Sequence, residues 1–183
     1  MQRDTPAGYG RVSRILHWSM ALLLLLQFTT ALLHLLADES PVAETLWPLH
    51  PQMGFTLWWL VLLRGTWGLL NFRNRPPHEG SAFQRRAATY GHLALYTLMV
   101  VVPTLALLRA IGRGRGVRLY GIQLLEGGTP EMPALTAPGN ALHGTLGWVL
   151  LALVLGHIGF ALWHGLIRRD GTLRRMWRGA PTR

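Results

Sequence analysis

Four long apolar stretches separated by short polar ones set the plan of this chain. They cover about residues 15–36, 50–70, 90–108 and 141–167, with the run Ala21–Leu26 at the heart of the first. Each is near the ~20 apolar residues that an α-helix needs to cross a hydrocarbon layer. An acidic connection carrying Asp38, Glu39 and Glu44 ends at Pro48, an arginine- and proline-bearing linker occupies about 71–89, and a Gly/Arg/Pro-rich loop fills about 109–139. Pro51 falls in the first turn of the second stretch, where a missing N–H costs nothing, and Pro103 predicts a kink in the third. The pattern predicts an all-α integral membrane four-helix bundle, one domain over residues 1–183, without internal repeats. The first stretch is too long, and lacks the small-residue cleavage site, to read as a signal peptide.

Charge refines this picture into a topology. The formal net charge is +10, and every one of the 18 basic residues is arginine. They cluster at the ends of the apolar runs, so the basic balance points to membrane orientation and not to nucleic acid. Fourteen lie in the N-terminal arm, the second linker with Arg64, and the tail; four lie in the third loop and none in the first. The positive-inside rule then places both termini in the cytoplasm. The tryptophans gather mostly near the span ends, as an aromatic belt at the lipid surface does. With no cysteine, thiolate-bound zinc, iron–sulfur clusters, disulfides and covalent haem attachment are excluded.

The chemistry resides in histidines inside the apolar runs, where an imidazole facing lipid forfeits its hydrogen bonds to water. His143 and His157 are fourteen residues apart on the last span, so they share one face roughly 21 Å apart along the axis. With both termini inside, His50 and His143 lie towards the periplasm, and His17 and His157 towards the cytoplasm. Two depth-matched pairs from different helices are what two bis-histidine b-type haems require, one axial ligand on each side of each ring. Gly54 and Gly147 each follow a histidine by one turn and Gly156 precedes His157, removing bulk where a macrocycle would press; close helix packing explains the same glycines.

Arg64 falls on the face of His50, fourteen residues on, near the level of the His17–His157 pair. An arginine inside a span costs roughly 2.5–3.5 kcal/mol unless paired. A haem propionate would pair it; a snorkelling arginine at the end of a short span would also account for it. His34 is about 100° round the helix from His17 and reads as an interfacial histidine. His78 reads as an exposed linker histidine. Arg14, His92 and His164 gather near the cytoplasmic face, where they would hydrogen-bond a quinone carbonyl and pass protons, or simply sit in headgroup water.

These residues carry a resemblance. Arg14-Ile-Leu-His17-Trp18, His50 with Arg64, Tyr90-Gly-His92, and His143…His157…His164 followed by Asp170-Gly-Thr-Leu173 together resemble the bacterial di-haem cytochrome b561 family over nearly the whole chain. The resemblance extends to the cytochrome b subunits that anchor periplasmic hydrogenases and formate dehydrogenases. It implies an inner-membrane bundle with two haems b, ligated by His17, His50, His143 and His157, and a quinone site near His92 and His164. The activity it implies is oxidation of periplasmic superoxide with reduction of ubiquinone.

The third loop bears on that activity, because Arg109, Arg113, Arg115 and Arg118 stand on the side where arginine is normally avoided. A basic funnel there would steer an anion such as superoxide; it would equally dock an acidic redox protein or lipid headgroups. Two other readings stay open: a haem-bearing anchor relaying electrons from a periplasmic dehydrogenase, and a haem-free protein whose histidines line a proton or metal path.

Overall fold

The computed structural model describes residues 3–77 and 80–179; His78 lies outside the described residues. Among the described residues, four helices are long and apolar enough to cross a membrane. They are α1 (Arg11–Leu36), α3 (Leu49–Leu70), α4 (Ala82–Gly112) and α5 (Pro133–Leu162), the last continued by a π-helical turn over Trp163–Arg168. A short helix α2 (Pro41–Leu46) sits in the acidic connection, and α6 (Thr172–Trp177) closes the described chain.

Two spans, α4 and α5, start about eight residues earlier than their apolar runs predict, and the helix starts explain both. Ser81 and Gln84 form a reciprocal capping box, with the Gln84 amide donating to Ser81 Oγ (3.3 Å) and the Ser81 amide to Gln84 Oε1 (2.9 Å). This starts α4 in the polar stretch 82–89, which projects beyond the apolar part of the span. At α5, Pro133 occupies the first turn, so a segment that reads as loop is helical, and Pro138 is accommodated inside the helix. The helix α4 runs unbroken through Pro103.

The all-α expectation needs one correction. Within the third loop, β1 (Val117–Leu119) pairs antiparallel with β2 (Ile122–Leu125). The two-residue turn between them is Tyr120-Gly121, with φ of 52° and 77°, the left-handed pair that matches the twist of a hairpin. Tyr120 is not a residue that favours positive φ, and its side chain shows what holds it there. Its hydroxyl donates to the Gln52 carbonyl (2.9 Å) and also contacts the Thr56 hydroxyl. The hairpin is thereby pinned over the first turns of α3, just beyond His50.

Packing runs from α1 to α3, from α3 to α4 and from α4 to α5. One buried cluster joins Met20, Leu57 and Val61, flanked by Leu23, Leu24, Leu60, Tyr96, Met99 and Val100. All come from α1, α3 and α4. Helix α5 instead lies tightly along α4, where a methyl at Gly139 would meet the Leu105 carbonyl oxygen at 2.6 Å and one at Gly112 would meet Leu135 Cβ at 2.7 Å. The face that α5 turns towards α1 and α3 carries histidines.

The end of the bundle opposite the hairpin is tied by polar contacts. Asp4, 4% exposed, accepts from the Gly10 amide (2.8 Å) and the Ser13 hydroxyl (2.6 Å). Trp67 of α3 donates through Nε1 to Ser13 Oγ (3.0 Å). Arg14 donates to the Trp177 carbonyl (3.1 Å) and Trp18 to that of Met176 (3.2 Å), so α6 closes against the start of α1.

Candidate functional site

Two histidine pairs face each other across the bundle at two levels. At the hairpin end, His50 of α3 and His143 of α5 have ring centres 6.4 Å apart with planes inclined at 78°. At the terminal end, His17 of α1 and His157 of α5 are 6.2 Å apart at 74°. None of the four is fully exposed. Each pair joins α5 to a helix it barely packs against otherwise.

The spacing tests what the pairs would hold. An iron bound at about 2 Å by one nitrogen of each imidazole, with that nitrogen a little over 1 Å from its ring centre, separates the centres by about 6.3 Å. Both pairs fit that distance. His92 also approaches His157, at 5.3 Å and 80°, which is too short for an iron between them. Its Nδ1 is engaged by the Ala88 carbonyl (2.6 Å). The glycines divide in the same sense. Among the described residues, Gly144, Gly147 and Gly156 of α5 have nothing within 4 Å of where a Cβ would stand, whereas one at Gly54 would meet Gln27 Nε2 at 3.2 Å. Close packing therefore accounts for Gly112 and Gly139 but not for the glycines beside His143 and His157.

The hairpin-end pair is held from behind. His143 Nδ1 lies 2.9 Å from the Val102 carbonyl oxygen, and His50 Nδ1 lies 3.0 Å from Thr30 Oγ1. Trp47 stacks on His50 (4.8 Å, 27°), and His34 stacks on the other side of Trp47 (3.7 Å, 16°). His34 thus braces the site through Trp47. At the terminal end, among the described residues, no hydrogen-bond partner meets the ring of His17 or of His157.

Each pair has an arginine nearby. Arg64 bonds the turn of α1 that precedes His17, and Arg109 lies against Gly139, one turn before His143. Arg64 Nη1 donates to the Ser13 carbonyl (2.8 Å), one helical turn before His17. That bond uses one of the five N–H donors of a guanidinium. Arg14 Nε is buried without a partner among the described residues.

Arg113, Arg115 and Arg118 are exposed around the hairpin, with Arg118 Nε donating to Gln123 Oε1 (3.0 Å). They share the end of the molecule that bears His50 and His143. At the other end, His164 lies in the π-helical turn with Nδ1 2.5 Å from Asp170 Oδ2. A left-handed Arg169 (φ 53°) and Gly171 (φ 82°) bring the carboxylate back onto the ring. Partial burial pushes the Asp170 carboxyl up, but hydrogen bonds from His164 and Thr172 outweigh this and hold it at about 2.

Sequence reasoning did not single out Thr30, Trp47, Asp4 or Asp170 as functional groups. For Thr30 and Asp170 a signal existed: a hydroxyl among leucines in a span, and an acid six residues beyond a span-closing histidine.

The chain matches the family described as prokaryotic cytochrome b561 over residues 8–179. It is 28% identical over 174 residues to the protein named cytochrome b561 homolog 2 of Escherichia coli (strain K12), covering 94% of this chain and 93% of that one. Cytochrome b561 homolog 1 of the same organism is 28% identical over 132 residues, or 69% of this chain and 72% of that one. The chain belongs to the prokaryotic cytochrome b561 family, a multi-pass membrane protein whose family binds haem b and whose class of function is electron transfer.

Proposed function

We propose that this prokaryotic cytochrome b561 carries two haems b and passes electrons from periplasmic superoxide to ubiquinone in the bacterial inner membrane, with both termini cytoplasmic. The observation that supports it most is the pair of histidine couples at 6.4 and 6.2 Å, at two levels of one bundle. His50 with His143, and His17 with His157, are the ligand sets. Haem b supplies one-electron transfer by cycling between ferric and ferrous iron.

The chain's own residues do the rest. Arg113, Arg115 and Arg118 raise the local concentration of an anion at the hairpin end, an effect that screens with salt. Arg64 and Arg109 place positive charge beside the two ligand pairs and suit propionates. The apolar side chains of the spans keep the path dry. At the terminal end, Arg14, His92 and His164 are the quinone-site residues, with Asp170 holding His164 by one ring nitrogen and leaving the other to exchange a proton. Overall, two superoxide anions each lose one electron and leave as dioxygen, while ubiquinone gains two electrons and two protons to become ubiquinol.

A second reading has an observation of its own. Beside the arginines, β2 exposes Ile122, Leu124 and Leu125, a mixed apolar and basic surface of the kind that a periplasmic redox protein would cover. In that case the chain is an electron-relaying anchor for a periplasmic dehydrogenase or hydrogenase. The deciding experiment is a reduced-minus-oxidised spectrum with haem quantification on the purified chain, followed by superoxide consumption with and without a ubiquinone analogue. Two b haems and quinone-dependent turnover by the isolated chain support the first reading. Two haems without turnover sink it in favour of the anchor, and a colourless folded protein sinks both.

A further inference from the structure

A threonine hydroxyl inside an apolar span requires an account, and Thr30, six residues before the end of α1, is 4% exposed. Its Oγ1 lies 2.8 Å from the Gln27 carbonyl and 3.0 Å from His50 Nδ1. A carbonyl can only accept, so the single hydroxyl proton goes to Gln27, and the Thr30 oxygen is left to accept. The donor must then be His50, with its proton on Nδ1. The same count holds across the bundle. His143 Nδ1 faces the Val102 carbonyl at 2.9 Å, which again can only accept, so His143 also carries its proton on Nδ1. Both rings therefore present an unprotonated Nε2.

We propose that Thr30 is a positioning residue for His50: held by the Gln27 carbonyl, its hydroxyl fixes the His50 tautomer and presents Nε2 toward His143. The proposal rests on the two-haem reading above. It has a consequence for the order of the two sites. An imidazole that donates its outer N–H to an oxygen is a stronger electron donor at its inner nitrogen, and a stronger donor favours the oxidised iron. The hairpin-end pair has two such bonds. The terminal-end pair has none among the described residues. With haem bound, the hairpin-end site would accordingly be the harder of the two to reduce, and electrons entering there would run downhill toward the terminal end.

The test is a potentiometric titration with haem quantification on the full-length protein, comparing wild type, T30V and T30S. T30V keeps the branched shape and removes the hydroxyl; T30S keeps the hydroxyl. The expected result for T30V is two haems, with only the component of lower potential made easier to reduce. At a fixed potential its ratio of reduced to oxidised form rises, by about tenfold if the lost bond acts on the redox equilibrium as strongly as outer partners act on metal affinity at the low end of their range. T30S restores the wild-type curve. Loss of one haem in T30V but not in T30S would support the same role. Two unmoved components in T30V, equal shifts in T30V and T30S, or a shift in the higher-potential component would overturn it. If T30V fails to accumulate, T30A against T30S is judged by the same outcomes. Fewer than two haems in the wild type would instead overturn the functional reading underneath.

Discussion

The two ends of the bundle solve one problem in different ways. At the hairpin end, the facing histidines are held by hydrogen bonds to Thr30 and Val102 and by the stacked rings of Trp47 and His34. At the terminal end, His17 and His157 are held by ring edges, Trp18 at 5.2 Å and His92 at 5.3 Å. The polar bonds there belong to the scaffold: Asp4, Ser13, Trp67 and Arg64 lock the turn of α1 that precedes His17. One end orients its ligands directly, and the other fixes the helix that carries a ligand. The difference teaches that two sites with nearly equal ring spacing need not have equal electronic character.

The largest expected effect separates the two ends outright. H143A and H157A should each lose one of two haems, measured by pyridine haemochromogen, with H143A sparing the terminal-end component and H157A the other. Loss of both haems in either variant would show that the ends are not independent.

Neutralising the basic loop acts on one end only. R113Q, R115Q and R118Q together should slow superoxide oxidation about tenfold at low ionic strength. The defect should shrink as salt rises, while reoxidation of the pre-reduced protein by a ubiquinone analogue is unchanged. A defect independent of salt would assign those arginines to folding and not to steering.

Breaking the terminal scaffold should be milder. D4A leaves the Gly10 amide and the Ser13 hydroxyl without their acceptor in a buried position, a cost of about 1–3 kcal/mol. It should appear as a lower melting temperature in detergent, with the His50–His143 component spectroscopically unchanged.

The smallest effect is a pH dependence at Asp170. Its carboxyl is held at about 2 in the folded protein against an ordinary 3.8, so its contribution to stability is complete above the ordinary value and disappears as pH falls toward 2. The stability gap between wild type and D170N should therefore be present at about pH 5 and close as pH falls between about 4 and 2. A gap that persists at the lowest pH would mean the His164–Asp170 bond is not its source.

Much of the fold was legible because membrane spans are written locally. The four apolar runs specify four helices, since a backbone in hydrocarbon must satisfy its own hydrogen bonds, and histidine spacing along α5 follows from helical geometry alone. The errors fell where local signals conflict with caps and turns. Ser81-x-x-Gln84 starts α4 in a polar linker, Pro133 starts α5 inside what reads as loop, and Tyr120-Gly121 makes a hairpin from a segment without an alternating pattern.

By itself, the sequence determined a helical membrane protein with its histidines at two depths and its arginines at the span ends, because periodicity and hydropathy act within one segment. Only the tertiary structure decided which rings face each other, that Thr30 stands behind His50, that Asp170 folds back onto His164, and that Tyr120 pins the basic hairpin over α3. Those relations join residues on different helices or across left-handed turns, where distance in space no longer follows distance along the chain.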